Sequence, residues 1–203
     1  MTGYKALTDA VCETVISRSR FITYVFGIDG EEDAEAKINA LRKKHYDATH
    51  VCYAYVADVS GNSVKFSDDG EPSGTAGAPI LEVIRSGGYS KSLVAVVRYF
   101  GGIKLGAGGL TRAYAGCAAA GVAAADKETY LLCDVLSVET DFAVYNKIIK
   151  NLPQSLCKIL KTEYNSLIVA EVADISGHTA ETVTERTQGR ARIKPIEKRF
   201  VKT

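Results

Sequence analysis

The segment Leu93-Val94-Ala95-Val96-Val97-Arg98-Tyr99-Phe100-Gly101-Gly102-Ile103-Lys104-Leu105-Gly106-Ala107-Gly108-Gly109-Leu110-Thr111-Arg112 joins an apolar run to a stretch of small residues through a glycine-rich turn. Leu93 to Val97 reads as a buried strand. Gly106 to about Ala125, with nine alanines, reads as a helix able to sit close to a sheet. Leu110, Tyr114, Cys117 and Gly121 form its expected inner stripe. Gly101, Gly102, Gly106, Gly108 and Gly109 carry a backbone-entropy cost that ordinary packing does not require. Another layer of the protein, or a ligand, is expected to approach this backbone. Arg98, Lys104 and Arg112 make an anion the ligand to consider.

Neither common phosphate loop fits. Ala107 stands where a Walker A lysine belongs. Read as a dinucleotide fingerprint, Gly106 to Thr111 ends in threonine, and no suitable acid follows about 20 residues on. A nest of N–H groups at a helix start remains, set against a plain structural turn with close helix–sheet packing.

Upstream, Val11 to Ser17 and Arg20 to Gly27 read as strands joined at Arg18-Ser19. Glu31 to Lys44 is a helix with Ala34, Ile38 and Leu41 on one face and an acidic amino end. Thr49 to Val59 is a strand that alternates His50, Cys52, Ala54 and Val56 against Val51, Tyr53 and Tyr55. Asp58 to Asn62 is a turn and Val64 to Phe66 a short return strand. The segment Asp68-Asp69-Gly70-Glu71-Pro72-Ser73-Gly74-Thr75-Ala76-Gly77-Ala78-Pro79 then leads into a helix. Proline fits only the first turn of a helix, so this one starts near Gly77.

From about Thr129 the order is strand, helix, strand, strand, helix, strand, which is a ferredoxin-like βαββαβ arrangement. The strands are Val135 to Phe142, Cys157 to Tyr164, Ser166 to Ala173 and Ala191 to Val201. The helices are Tyr145 to Leu152 and Thr179 to Gln188. The expected division is therefore residues 1–128 and residues 129–203, in an α+β chain.

The 203 residues are 46% hydrophobic and 24% charged with a net charge of +1, so any nucleic-acid contact must use a local patch. No signal-peptide core opens the chain, and the run Ala115 to Ala125 is too short to cross a bilayer; a cytoplasmic location and no membrane partner are expected. The five cysteines are odd in number, without a C-x-x-C pair, and read as buried free thiols. Asp68, Asp69 and Glu71 invite a divalent metal, but turn chemistry and bonds to N–H groups or arginines account for them better. No metal and no cofactor are expected. His50 and Cys52 share a strand face, yet stand nearly parallel with no orienting acid, so no catalytic residue is assigned. His45 and His178 read as helix-end residues. On the last strand Arg190, Arg192, Lys194, Lys198 and Lys202 alternate onto one face with Phe200, as on single-strand RNA binders, unless Pro195 bulges the strand.

Two long motifs carry a resemblance. Asp68-Asp69-Gly70-Glu71-Pro72-Ser73-Gly74-Thr75-Ala76-Gly77-Ala78-Pro79-Ile80-Leu81 and Arg98 to Leu110 resemble the two signatures of the YigZ/IMPACT family, and Arg18 to Ile22 and His50 to Tyr55 fit as well. Val51 departs from the asparagine common there, which weakens a catalytic reading of that strand. The resemblance spans the chain. It implies a first domain folded like the second domain of ribosomal protein S-five, and a second like the fifth domain of elongation factor G. It also implies a role near translation: eukaryotic relatives bind a partner protein that activates a stress kinase, and bacterial relatives are thought to bind nucleic acid.

The expectation is a non-catalytic, translation-associated protein that binds RNA, the ribosome or a translation-control protein. Arg98, Lys104 and Arg112 form one expected patch; Arg190, Arg192, Lys194, Lys198 and Lys202 form another. The alternatives are an ATP-binding enzyme of the small-molecule kinase type, with Asp68 or Asp69 on magnesium, and a pure protein-interaction module.

Overall fold

The computed structural model describes residues 2–203, which fall into two compact units: Tyr4–Thr129, and Tyr130–Thr203 together with the first residues of the chain. The first unit opens at Tyr4, within the short strand β1 (Gly3–Leu7), whose Leu7 N–H donates to Ser92 Oγ at 3.0 Å. It continues with β2 (Ala10–Ile16), β3 (Ser19–Gly27), α1 (Glu31–Lys44), β4 (His50–Val56), β5 (Val64–Ser67), α2 (Gly77–Ser86), β6 (Ser92–Tyr99) and α3 (Gly106–Ala124). Its sheet has the order β2-β3-β6-β4-β5, antiparallel throughout.

Alternation along the strands feeds two cores. Cys52, Ala54, Val56, Val94 and Val96 pack with Ile80 and Ile84 of α2 and with Leu110, Tyr114 and Cys117 of α3. Val51, Tyr53, Tyr55, Ala95 and Val97 pack on the other face with Ala34, Ile38 and Leu41 of α1. The sheet therefore lies between helical layers. A Cβ at Gly121 would stand 2.5 Å from Thr23 Cγ2, so the small-residue face of α3 sets its distance from β3.

Asp68 shapes the start of α2. Its Oδ1 accepts from Ala76 N at 2.9 Å and Gly77 N at 2.8 Å, and its Oδ2 from Gly74 N at 2.8 Å. Burial pushes this carboxyl up, but the three N–H bonds outweigh it and hold the group below the ordinary aspartate value. Its stabilising contribution is thus complete above the unfolded value of about 4 and is lost as pH falls through the lower folded value. Asp68→Ala is expected to cost about 1–2 kcal/mol at pH 7. In urea unfolding, the gap between wild type and variant should close toward pH 3; an unchanged gap would contradict this account.

The second unit contains β7 (Lys127–Thr140) from Tyr130 onward, α4 (Phe142–Lys147), a 3-10 turn at Ile149–Asn151, β8 (Cys157–Tyr164), β9 (Ile168–Asp174), α5 (Thr179–Thr187) and β10 (Arg192–Lys202). The strand order is β10-β7-β9-β8, antiparallel at each pairing. Val138, Ile168, Ala170 and Val172 of the sheet pack with Tyr145 of α4 and Val183 of α5. β7 ends at Thr140, short of the expected Phe142, because Asp141 caps α4 by accepting from Val144 N at 2.8 Å. No helix of the described residues is long and apolar enough to cross a membrane.

Candidate functional site

The turn after β6 is fixed by a backbone approach. A Cβ on Gly101 would lie 2.0 Å from the Arg18 carbonyl oxygen and 2.5 Å from Ser19 N. Arg18 and Ser17 form the β2–β3 connection, both at positive φ. Ser19 Oγ accepts from Gly101 N at 3.2 Å and from Arg98 Nη2 at 3.3 Å. Gly102 and Gly106 take positive φ, at 84° and 70°, and deliver the chain to α3.

Beneath this turn lies a buried ion pair. Arg98 is 4% exposed, and its Nη1 donates to Glu71 Oε1 at 2.5 Å. The Tyr114 hydroxyl donates to the same oxygen at 2.8 Å, and His50 Nε2 lies 3.9 Å from it. The Arg98 guanidinium stands 5.4 Å from the ring centres of both Phe21 and Phe100. Its Nε is buried without a hydrogen-bond partner among the described residues. Arg98 is therefore not an exposed member of a cationic patch, as expected from sequence. It continues the inward parity of Val94 and Val96, and Glu71 meets it there.

A cavity of about 320 Å³ opens over this pair. Glu71 and Arg98 form part of its lining, and Pro72, Phe100 and Leu110 supply apolar wall. Lys104 and the opening residues of α3 border it as well. No side chain among the described residues caps α3, so its first N–H groups have neither an intrahelical nor a capping partner, the arrangement that favours an anion. Lys104 and Arg112 are exposed, and no carboxylate among the described residues lies within ion-pair distance of either. Arg112 Nη1 would stand 3.6 Å from a Cβ at Gly108, which puts its guanidinium beside the first turn of α3.

The acidic loop is a scaffold for this site. Asp69 Oδ2 accepts from Val51 N at 2.7 Å, and its Oδ1 accepts from Arg42 Nη2 at 3.0 Å. Asp69 and Gly70 both take positive φ, at 45° and 89°, as does Gly74 at 76°. Gly77 lies against β5, where a Cβ would come within 2.8 Å of the Ser67 backbone. Asp68 is thus held by three N–H groups and Asp69 by Val51 N–H and Arg42, so both carboxylates take part in shaping the loop. No cluster of three metal-ligating side chains occurs among the described residues.

The His50–Cys52 strand is committed to this loop too. His50 Nδ1 bonds the Asp69 carbonyl at 2.8 Å, and the Cys52 thiol donates to the Asp68 carbonyl at 3.0 Å. Burial, with Glu71, Asp69 and Asp68 nearby, pushes the Cys52 thiol up to about 12, far from a nucleophile. Burial likewise pushes the Tyr114 phenol up. His45 caps α1 and also bridges the hydroxyls of Tyr24 and Tyr99, each at 2.8 Å.

The cations of β10 do not form the continuous stripe expected from their alternation. The register shifts between Pro195 and Glu197. Arg192 and Lys194 face Glu139 and Ser137 across the ladder, whereas Lys198 and Lys202 face Asp134 and Tyr130, which alternate to the other side of β7. Acids also sit among them: Arg190 pairs with Asp141 at 2.7 Å, Arg192 with Glu139 at 3.7 Å and Lys198 with Asp134 at 3.5 Å. The sequence of β10 carries its own charges but not those of its neighbour strand.

This fold and these two loops define a class that comparison with known proteins identifies. Residues 17–122 match the family described as the Impact N-terminal domain. The chain belongs to the IMPACT family. It is 37% identical over 188 residues to IMPACT family member YvyE of Bacillus subtilis, across 91% of this chain and 87% of that one. It is 36% identical over 168 residues to IMPACT family member YigZ of Escherichia coli, across 82% of each. A crystal structure described as that of a hypothetical protein matches with a TM-score of 0.64 and 31% identity, covering 97% of this chain and 98% of its own.

Proposed function

We propose that this chain is a non-catalytic, translation-associated protein of the cytoplasm that binds RNA through its phosphates, at the amino end of α3. The observation that carries the reading is the pairing of an uncapped helix start with two exposed cations, Lys104 and Arg112, that have no acidic partner among the described residues. Helix N–H groups and cations together favour phosphate, whereas β10, with acids beside Arg192 and Lys198, offers a weaker attraction. The buried Cys52 thiol and the engaged Asp68 and Asp69 supply no evident chemistry for a bound ligand. Family membership supports the translational setting. The unit Tyr4–Thr129 then corresponds to a ribosomal-protein-S-five-like domain and Tyr130–Thr203 to a ferredoxin-like domain of the elongation factor G type.

Filter binding of a short single-stranded RNA across a salt series tests the reading. Affinity is expected to fall steeply with salt, and Lys104→Ala with Arg112→Ala should weaken it and flatten the slope by about 2. Equal affinity and slope in the double variant would remove these residues from the interface.

A further inference from the structure

We infer that β2, the open edge of the first sheet, pairs with β2 of a second copy of this chain, antiparallel about a two-fold axis at Glu13. β2 ends the sheet order, and among the described residues no other strand lies along its outer side. The two-residue loop Ser17-Arg18, with both residues at positive φ, closes the β2–β3 hairpin on the pair Ile16–Ser19. The pair that closes such a loop is hydrogen-bonded, so the even residues of β2 bond β3 and the odd ones turn their backbone outward. Val11, Glu13 and Val15 therefore present N–H and C=O groups along the edge. Among the described residues no loop or side chain bonds these groups there.

Edges of this kind are normally shielded. β5, at the other end of the same sheet, is four residues long and carries Lys65, and Gly77 of α2 lies against its Ser67 backbone. β2 has none of these devices. It is seven residues long, contains neither lysine nor proline, and pairs with β3 without a register shift. Its outward residues are also apolar: Val11 is 57% exposed and Val15 66% exposed. Beside them a trough of about 550 Å³ lies between β2 and α1, lined by Val11, Tyr24, Phe26 and Leu41. The backbone calls for a strand, and the side chains call for an apolar one.

β2 itself meets both demands. In the register of full overlap, Val11 lies opposite the partner's Val15, and the reverse pair repeats it across the axis. On the other face of the strand Ala10 meets the partner's Ile16, and Cys12 meets the partner's Thr14. Apolar and small side chains thus face one another along the strand. A slip of two residues sets a valine opposite Glu13 and loses two of the pairs, while a slip of one exchanges the faces. Glu13 is the one charged side chain of β2, and Arg20 of β3 holds it at 2.8 Å. At the axis two carboxylates and two guanidiniums gather with no net charge. Such a contact is isologous: each edge is used up by the other, and association stops at two copies.

Sedimentation equilibrium of the full chain over a concentration series tests the pairing. A reversible monomer–dimer equilibrium is expected. Val15→Lys should raise the dimer dissociation constant by about a hundredfold, a factor of ten at each of two symmetric positions. The circular dichroism should stay unchanged, since the side chain is exposed. Phe66→Lys, an exposed position on the β5 edge, should leave the dimer intact. Mixing reads the register. Subunits with Val11→Cys and subunits with Val15→Cys should be joined by a disulfide when a thiol oxidant is added. Neither variant alone should cross-link, because like positions lie far apart in this antiparallel pair. A chain that is monomeric at every concentration overturns the proposal and leaves the edge to a strand from a different protein. A dimer that Val15→Lys leaves intact, or that Phe66→Lys breaks, overturns it as well. A dimer that Val15→Lys breaks but that gives no mixed cross-link overturns the register about Glu13.

Discussion

Replacing Arg98 by methionine is expected to destabilise the unit Tyr4–Thr129 by about 3–5 kcal/mol, because it strands the Glu71 carboxylate in a buried site. Glu71→Leu should cost a similar amount, for it leaves the guanidinium of Arg98 buried without its counter-charge. Both side chains are at most 5% exposed, and Glu71 holds together the loop after β5, Arg98 of β6 and Tyr114 of α3. The informative variant is the double one. With both charges gone and apolar volume in their place, stability should return to within about 2 kcal/mol of wild type, since the desolvation of two ions is removed along with their attraction. Native-state hydrogen exchange of the β6 amides reads the opening of this unit by itself. Single variants that exchange like wild type would show that the pair does not organise the unit.

Gly101→Ala should be the more damaging of two neighbouring glycine substitutions, although Gly102 is the one at positive φ. An alanine at 102 meets open space and carries only the left-handed backbone cost of about 1–2 kcal/mol. At 101 the new Cβ would fall 2.0 Å from the Arg18 carbonyl oxygen, and all three of its nearest neighbours are backbone atoms. No rotamer relieves that contact, so the turn must separate from the β2–β3 connection, at about 3 kcal/mol. For a unit of this size the thermal midpoint should fall by roughly 10 °C. The displaced turn also carries Lys104 and the start of α3, so RNA affinity should drop with stability. A Gly102→Ala variant less stable than Gly101→Ala would contradict the close approach.

Much of the first unit was legible because its signals are local. Pro79 placed the start of α2 at Gly77, the acidic run from Glu31 opened α1, and the alternation of β4 separated the residues of its two cores. β1 was missed: Gly3 to Leu7 is short, and its contacts to Tyr89, Ser90 and Ser92 are distant in sequence. β7 begins at Lys127 rather than Val135: Tyr130 to Asp134 gain strand structure by pairing with Lys202 to Lys198 of β10, partners distant in sequence. Asp141 is a readable helix cap, but the apolar Phe142 that follows it carries the strand reading two residues too far.

Of the candidate site, the glycine turn and the acidic loop are legible in the sequence, while the surroundings of Arg98 and of the β10 cations are not. The glycines and Lys104 do meet at a helix start, and the acidic loop does serve as a turn scaffold. Arg98 shares the inward parity of Val94 and Val96, but only the fold reveals Glu71 as its partner. The stripe on β10 failed because a bulge at Pro195 reverses the alternation and β7 contributes Glu139 and Asp134 alongside. Charges on one strand are visible in its own sequence, while the field they make depends on the strand beside it.

The most direct measurement is the amide NMR spectrum of the full chain titrated with a short single-stranded RNA. The backbone N–H signals of Gly106, Ala107 and Gly108 are expected to move most, together with Lys104 and Arg112, and to return as salt is raised. Shifts confined to β10 and its neighbours, or none at all, would contradict the placement of RNA phosphate at the start of α3.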